Sequence, residues 1–262
     1  MRTALLVTVI WLTVIASQVH DPPPPTHLQS SLPSPPTTLP STTTGPATTK
    51  GDNRATGMLC PVVRIVSGDR MGSGVIVARV DSDAYLVLTC HHCIEPPRLI
   101  DADGLRGRVR LAPVRLVLVE AFLPGDGTLF LDGSVLKADP VLDVAVVRVR
   151  APGHDLARAA LLENEDGLRL FDDTFVVGCP PGFPPLPVRG LVADTHRGCG
   201  EGRWLTTAPI VPGYSGGGAF VERDGHYCLA GILSAVLAAD EPHGSFATVV
   251  ISLSSVRPLL DG

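Results

Sequence analysis

Pro212-Gly213-Tyr214-Ser215-Gly216-Gly217-Gly218 wraps one serine in glycines near the C-terminal end of a 262-residue chain. Glycines at 213, 216 and 217 let the backbone turn sharply and aim N–H groups at one point, where an oxyanion can form. A serine hydroxyl is a poor nucleophile until a histidine takes its proton and a carboxylate orients that histidine. Both partner types lie upstream. Leu88-Thr89-Cys90-His91-His92-Cys93 closes one apolar run, and Asp143-Val144-Ala145-Val146-Val147 opens another. Taken alone, the glycine cluster fits a hairpin turn with an incidental serine as readily as a nucleophile.

Around these segments the chain reads as strands. Residues 62–66, 74–80, 84–89, 114–119, 144–149, 174–178, 188–192, 227–236 and 246–252 are short runs rich in Val, Ile and Leu. Turn signals such as Gly72-Ser73-Gly74, Asp81-Ser82-Asp83, Gly125-Asp126-Gly127 and Asp224-Gly225 punctuate them. Many short strands at close spacing favour a sandwich or barrel over alternating βα units. Only residues 252–260 and 156–162 show helical spacing.

The order His, Asp, Ser with a glycine cage at the serine resembles the trypsin-like (chymotrypsin-fold) serine peptidases, and within them the HtrA (Deg-type) branch. Thr206-Thr207-Ala208-Pro209-Ile210 before the serine and Gly231-Ile232-Leu233-Ser234 after it extend the likeness, which covers roughly residues 62–260. It implies an all-β fold of two packed six-stranded β-barrels with a short C-terminal helix and the site between the barrels. It further implies a serine endopeptidase acting on a peptide or protein substrate, with His92 as base, Asp143 as its orienting carboxylate and Ser215 as nucleophile. Gly213, Tyr214 and Ser215 would form the oxyanion hole. Pro209, Ile210, Val211, Ser234 and Ala235 would line the substrate pocket.

His92 is preferred to His91 because neighbours in extended chain face opposite sides. Its pKa is expected near 7, as a base at neutral pH requires. Asp139 is the rival carboxylate, but it precedes Pro140 and suits a turn. The residue before the serine is Tyr214, where zymogen-type relatives carry an aspartate that pairs with a new N-terminus. Arg64-Ile65-Val66-Ser67-Gly68 looks like an activation site, yet that partner is missing. No acid stands in residues 208–211, so small or aliphatic P1 side chains suit the pocket better than cations. The chain ends after Leu260-Asp261-Gly262, and no PDZ domain is expected.

Two other classes are open. Gly213-Tyr214-Ser215-Gly216-Gly217 also satisfies G-x-S-x-G, the nucleophile elbow of α/β-hydrolase esterases. That reading needs Asp224 or Asp240 and then His226 or His243, with too little chain left for the fold. A protease-like binding module without turnover is the other, and the full His-Asp-Ser set weighs against it.

Met1-Arg2-Thr3 and the apolar run to Ala16 read as a signal peptide over residues 1–16, or as an uncleaved N-terminal anchor. Only the anchor would bring a membrane into play; either form exports the protein to the cell envelope or beyond. Residues 17–58 are rich in Pro, Ser and Thr and read as a disordered linker, leaving residues 59–262 as the peptidase domain. A net charge of -5 and the lack of a basic run argue against nucleic acid as a partner. Nothing in the sequence sets an oligomeric state, and no cofactor motif is present.

Six cysteines behind an export signal suggest disulfides. Cys90-His91-His92-Cys93 has the spacing of a redox or zinc half-site. No second C-x-x-C or H-x-x-x-H follows, so no metal is expected.

Overall fold

The computed structural model describes residues 9–10, 54–94, 116–125, 127–163, 168–195, 200–238 and 245–261. Cys199, Asp240, His243, most of the N-terminal apolar run and the linker up to residue 53 lie outside them. Strands dominate, as the short β-branched runs require. The first group is β1 (Val62–Ser67), β2 (Arg70–Arg79), β3 (Ala84–Thr89), β4 (Leu116–Leu123), β5 (Gly127–Asp139) and β6 (Val144–Arg150). These strands close a barrel in the order β1-β2-β3-β6-β5-β4, all neighbours antiparallel. A short helical turn, α1 (His91–Ile94), follows β3.

The second group is β7 (Ala160–Leu161), β8 (Asp173–Gly178), β9 (Leu186–Asp194), β10 (Arg203–Thr206), β11 (Gly218–Arg223), β12 (His226–Ala238) and β13 (Ser245–Ser252). Here β12-β11-β8-β9-β10-β13 form a ring that the β12–β13 pairing closes. The two closed six-stranded antiparallel barrels make a chymotrypsin-like double barrel. An eight-residue helix, α2 (Leu253–Leu260), ends the described chain. This architecture excludes the α/β-hydrolase reading, which needs a sheet flanked by helices.

Three expectations change. Residues 156–162 do not form a helix: the Ala159 N–H bonds the Ile76 carbonyl at 2.9 Å, and β7 runs parallel to β12. The boundary at residue 58 falls inside packed structure. A single helical turn spans Ala55–Leu59, Met58 lies in the core, and the Arg54 guanidinium stands 5.7 Å from the Tyr227 ring centre. Cys60, Cys90, Cys93, Cys179 and Cys228 are free thiols, so no disulfide forms among the described cysteines. Cys90, Cys93 and Cys179 instead fill buried positions as small apolar side chains. Within the N-terminal run only Val9–Ile10 is described, pairing with Leu237 and Val236 of β12. Among the described residues no helix is long and apolar enough to cross a membrane.

Each barrel has its own valine-rich core, and buried polar links join them. Ser73 of β2 is fully buried; its hydroxyl donates to the Gly213 carbonyl at 2.6 Å and accepts the Cys179 N–H at 2.7 Å. Arg64 of β1 reaches both the Glu120 carboxylate and the Phe183 carbonyl of the β8–β9 loop. The segment that resembles an activation site is therefore a barrel strand, with Ile65 fully buried.

Removing the Ser73 hydroxyl leaves a buried N–H and a buried carbonyl unpaired. Ser73→Ala should cost about 1–3 kcal/mol, read as a fall in thermal midpoint of roughly 2–4 °C per kcal/mol. An unchanged midpoint would show that this link contributes nothing to barrel docking.

Candidate active site

Asp143 ends the tight turn between β5 and β6. Asp139 builds that turn, its carboxylate accepting the N–H groups of Val141 at 2.8 Å and Leu142 at 2.9 Å. The rival carboxylate is thus occupied with backbone. Asp143 takes a left-handed conformation, φ 65°, unusual for a residue with a Cβ. Its surroundings hold it there. The Asp143 carbonyl accepts the His91 N–H at 3.1 Å, and its carboxylate accepts the His92 N–H at 3.0 Å.

The same carboxylate meets the His92 imidazole at Nδ1, 2.9 Å from Oδ2. It also accepts the Ser234 hydroxyl at 3.0 Å. Asp143 is only 3% exposed, so these donors replace water around a buried charge. His92 is the histidine that reaches Asp143, but the reason differs from extended-chain alternation. Both histidines sit on the helical turn α1, where successive side chains are about 100° apart rather than opposed.

Ser234 comes from the other barrel. The β12–β13 register shifts between Leu233 and Ala235, which makes Ser234 the extra residue of a bulge. Its hydroxyl meets Asp143, and its carbonyl stands 3.5 Å from the Ser215 hydroxyl. Sequence reasoning placed Ser234 in the substrate pocket and missed this contact with the carboxylate. The contact needs a bulge and a barrel–barrel approach, neither of which leaves a local signal.

Ser215 sits in the turn before β11, 7% exposed. Its carbonyl accepts the Ser73 N–H at 2.7 Å, and the Gly216 N–H donates to the Leu233 carbonyl at 2.8 Å. Gly213 and Gly216 have φ of 94° and 84°, which glycine adopts without a steric penalty. A Cβ on Gly216 would lie 2.1 Å from the Ser73 carbonyl oxygen, so only glycine lets this turn press against the first barrel. Among the described residues, the N–H groups of Gly213 and Ser215 donate to no protein acceptor. Tyr214, between them, is 3% exposed and donates its hydroxyl to the Leu186 carbonyl at 3.1 Å. A buried ring and its hydrogen bond thus anchor the turn where zymogen-type relatives use an ion pair.

Of the other expected pocket residues, Ile210 and Ala235 are buried, whereas Pro209 and Val211 are exposed. Burial pulls the His92 imidazole down. Hydrogen bonds to Asp143 and Cys93, with the negative charge of both, outweigh it and push His92 up to about 10. The expectation of a base near 7 is therefore displaced upward. The Cys93 thiol is lowered to about 6, first by its hydrogen bond to Cys90 and then, against burial, by His92. Burial, the hydrogen bond from Cys93 and the charge of Asp143 raise Cys90.

The magnetosome formation protease MamE of Paramagnetospirillum magneticum is 27% identical over 134 residues, which make up 49% of this chain and 17% of that protein. Its counterpart from Magnetospirillum gryphiswaldense is 25% identical over 134 residues, 49% of this chain and 16% of that protein. The match therefore spans less than a fifth of either relative's length. A serine endoprotease from Yersinia pestis superposes with a TM-score of 0.59 at 17% identity, covering 82% of this chain and 66% of that one. Deg5 gives a TM-score of 0.58 at 20% identity, covering 80% of this chain and 91% of that one. At such identities the likeness speaks to the fold. Residues 72–232, more than half the chain, match the trypsin-like peptidase domain, and the chain belongs to that family.

Proposed function

We propose that the chain is a serine endopeptidase in which Ser215, His92 and Asp143 act as a unit on peptide bonds of an exported protein substrate. The observation that carries this reading is the buried Asp143 carboxylate bonded at 2.9 Å to His92 Nδ1. That bond keeps a proton on Nδ1 and leaves Nε2 as the basic nitrogen. Nε2 takes the Ser215 proton as the hydroxyl attacks the scissile carbonyl, then returns it to the leaving amine. Asp143 stabilises the imidazolium formed in between. The unpaired N–H groups of Gly213 and Ser215 receive the oxyanion, each such donor being worth about 10²–10³ in rate.

The pocket side favours small aliphatic P1 residues. Ala208, Ile210 and Ala235 are buried and carry no charge, so a lysine or arginine there would lose its hydration without gaining a counter-ion. Tyr214 anchors the oxyanion turn through its own hydrogen bond, so no liberated N-terminus is required. The N-terminal apolar run, read as a signal or anchor, is the basis for an exported setting.

Ser215→Ala should abolish hydrolysis of casein, with losses on the order of 10⁴–10⁶ in turnover. His92→Ala should match it and His91→Ala should not. Full activity in Ser215→Ala would end the serine-peptidase reading, and so would binding of casein with no cleavage by the native chain. A chain begun at residue 54, which retains Arg54 and Met58, should be active without processing. Mapped cleavage sites should fall mainly after Val, Ala and Ile. Cuts chiefly after Arg or Lys would refute the pocket argument.

The raised His92 pKa sets the sign of the pH dependence. A protonated imidazole cannot accept the serine proton, so kcat/KM should climb with pH through a midpoint above the ordinary histidine value of about 6.5. Asp143→Asn removes the charge that raises the ring, so it should lower both the midpoint and the rate. A flat profile between about pH 5 and 9 would point to another base.

A further inference from the structure

The sequence expectation of no metal weighed only the spacing of Cys and His along the chain. The fold adds a ligand from fifty residues downstream. One ligand atom each from Cys90, His92 and Asp143 lies within 4.8 Å of the other two, in a buried setting. A thiol, an imidazole and a carboxylate are a donor set suited to Zn²⁺.

We infer that Cys90, His92 and Asp143 form a Zn²⁺ site with three protein ligands and an open fourth position, whose occupation switches off the triad. The inhibitory consequence rests on the serine-peptidase reading above; the binding does not. Zinc bonds of roughly 2.0–2.3 Å place tetrahedral ligand atoms about 3.3–3.8 Å apart. The cluster must therefore contract by about an ångström from its widest separation. Asp143 is already fixed by the His92 N–H and by Ser234, so the metal replaces only the Nδ1–H donor. The Cys90 thiol now donates to the Leu233 carbonyl at 3.1 Å. On binding, that thiol releases its proton to solvent and its sulfur bonds the metal. His92 faces Asp143 through Nδ1 and binds through that atom, so the proton left on the neutral ring sits at Nε2. Nε2 is the nitrogen that has to accept the Ser215 proton. Occupied, the site holds the His92 and Asp143 ligand atoms in place with the base already protonated.

The distinguishing residue is Cys90, which has no role in the hydrolysis itself. The full chain, freed of metal by a chelator and kept reduced by a phosphine, is titrated with Co²⁺ as a spectroscopic stand-in. Native protein and Ser215→Ala should both show a near-ultraviolet thiolate-to-cobalt band and tetrahedral visible bands, and added Zn²⁺ should remove them. In a casein assay Zn²⁺ should inhibit the native enzyme, with full recovery on chelation. Cys90→Ala and Cys90→Ser should keep their metal-free activity, lose the band and need at least about tenfold more Zn²⁺ for inhibition. Equal inhibition of native and Cys90 variants, or a native protein with no thiolate band, would overturn the site. A cobalt band in a native chain that never cleaves casein would uphold the metal site and sink the peptidase reading instead.

Discussion

A carboxylate buried to 3% exposure is the constraint around which the rest of this structure is arranged. Left without partners, Asp143 would destabilise the fold, because an uncompensated buried charge is among the most costly features a protein can hold. Three donors meet it: the His92 N–H, the His92 ring and the Ser234 hydroxyl. Two come from the turn after β3 and the third from a bulge in β12. The charge is thus satisfied only when the two barrels dock in register. The left-handed backbone at Asp143 is local strain, on the order of 1–3 kcal/mol, which those bonds hold in place.

The nucleophile side obeys the same logic in reverse. Where the carboxylate collects donors, the turn at residues 213–216 leaves two N–H groups without an acceptor among the described residues. Ser73 and Leu233 clamp the backbone around them, and the buried Tyr214 ring fixes its pitch. A site built this way is organised before substrate arrives, which is the source of most electrostatic catalysis. The same crowding puts two thiols beside the base. Cys93 raises His92 and Cys90 gives the cluster its thiol ligand, so one packing arrangement serves both the chemistry and its proposed control.

Much of this was legible in the sequence because the decisive signals are local. The glycine cage around Ser215, the apolar strand ending at Thr89 and the apolar strand starting at Val144 each need only a few neighbours to be read. β5 was missed because Asp132, Gly133, Ser134 and Lys137 break its apolar residues into short pieces. The four residues of β10 and the six of β11 are too short to stand out from the glycine-rich loops beside them. Residues 156–162 have helical spacing, but bonding to β2 and β12 overrides that weak preference. The expected disulfides do not form among the described cysteines: all five are free thiols, and Cys90, Cys93 and Cys179 are buried in apolar packing. The link from Ser234 to Asp143 depends on a bulge and on contact between residues 91 positions apart, which no local pattern encodes.

The central claim is that Ser215 is a nucleophile activated by His92. Covalent capture tests it most directly. The native chain is treated with a fluorophosphonate, which phosphonylates only an activated serine, and the adduct is located by peptide mass mapping. The account predicts a single stoichiometric adduct on Ser215, lost in His92→Ala although the serine is still present. No adduct on the native chain, an adduct on another serine, or equal labelling of His92→Ala would contradict it.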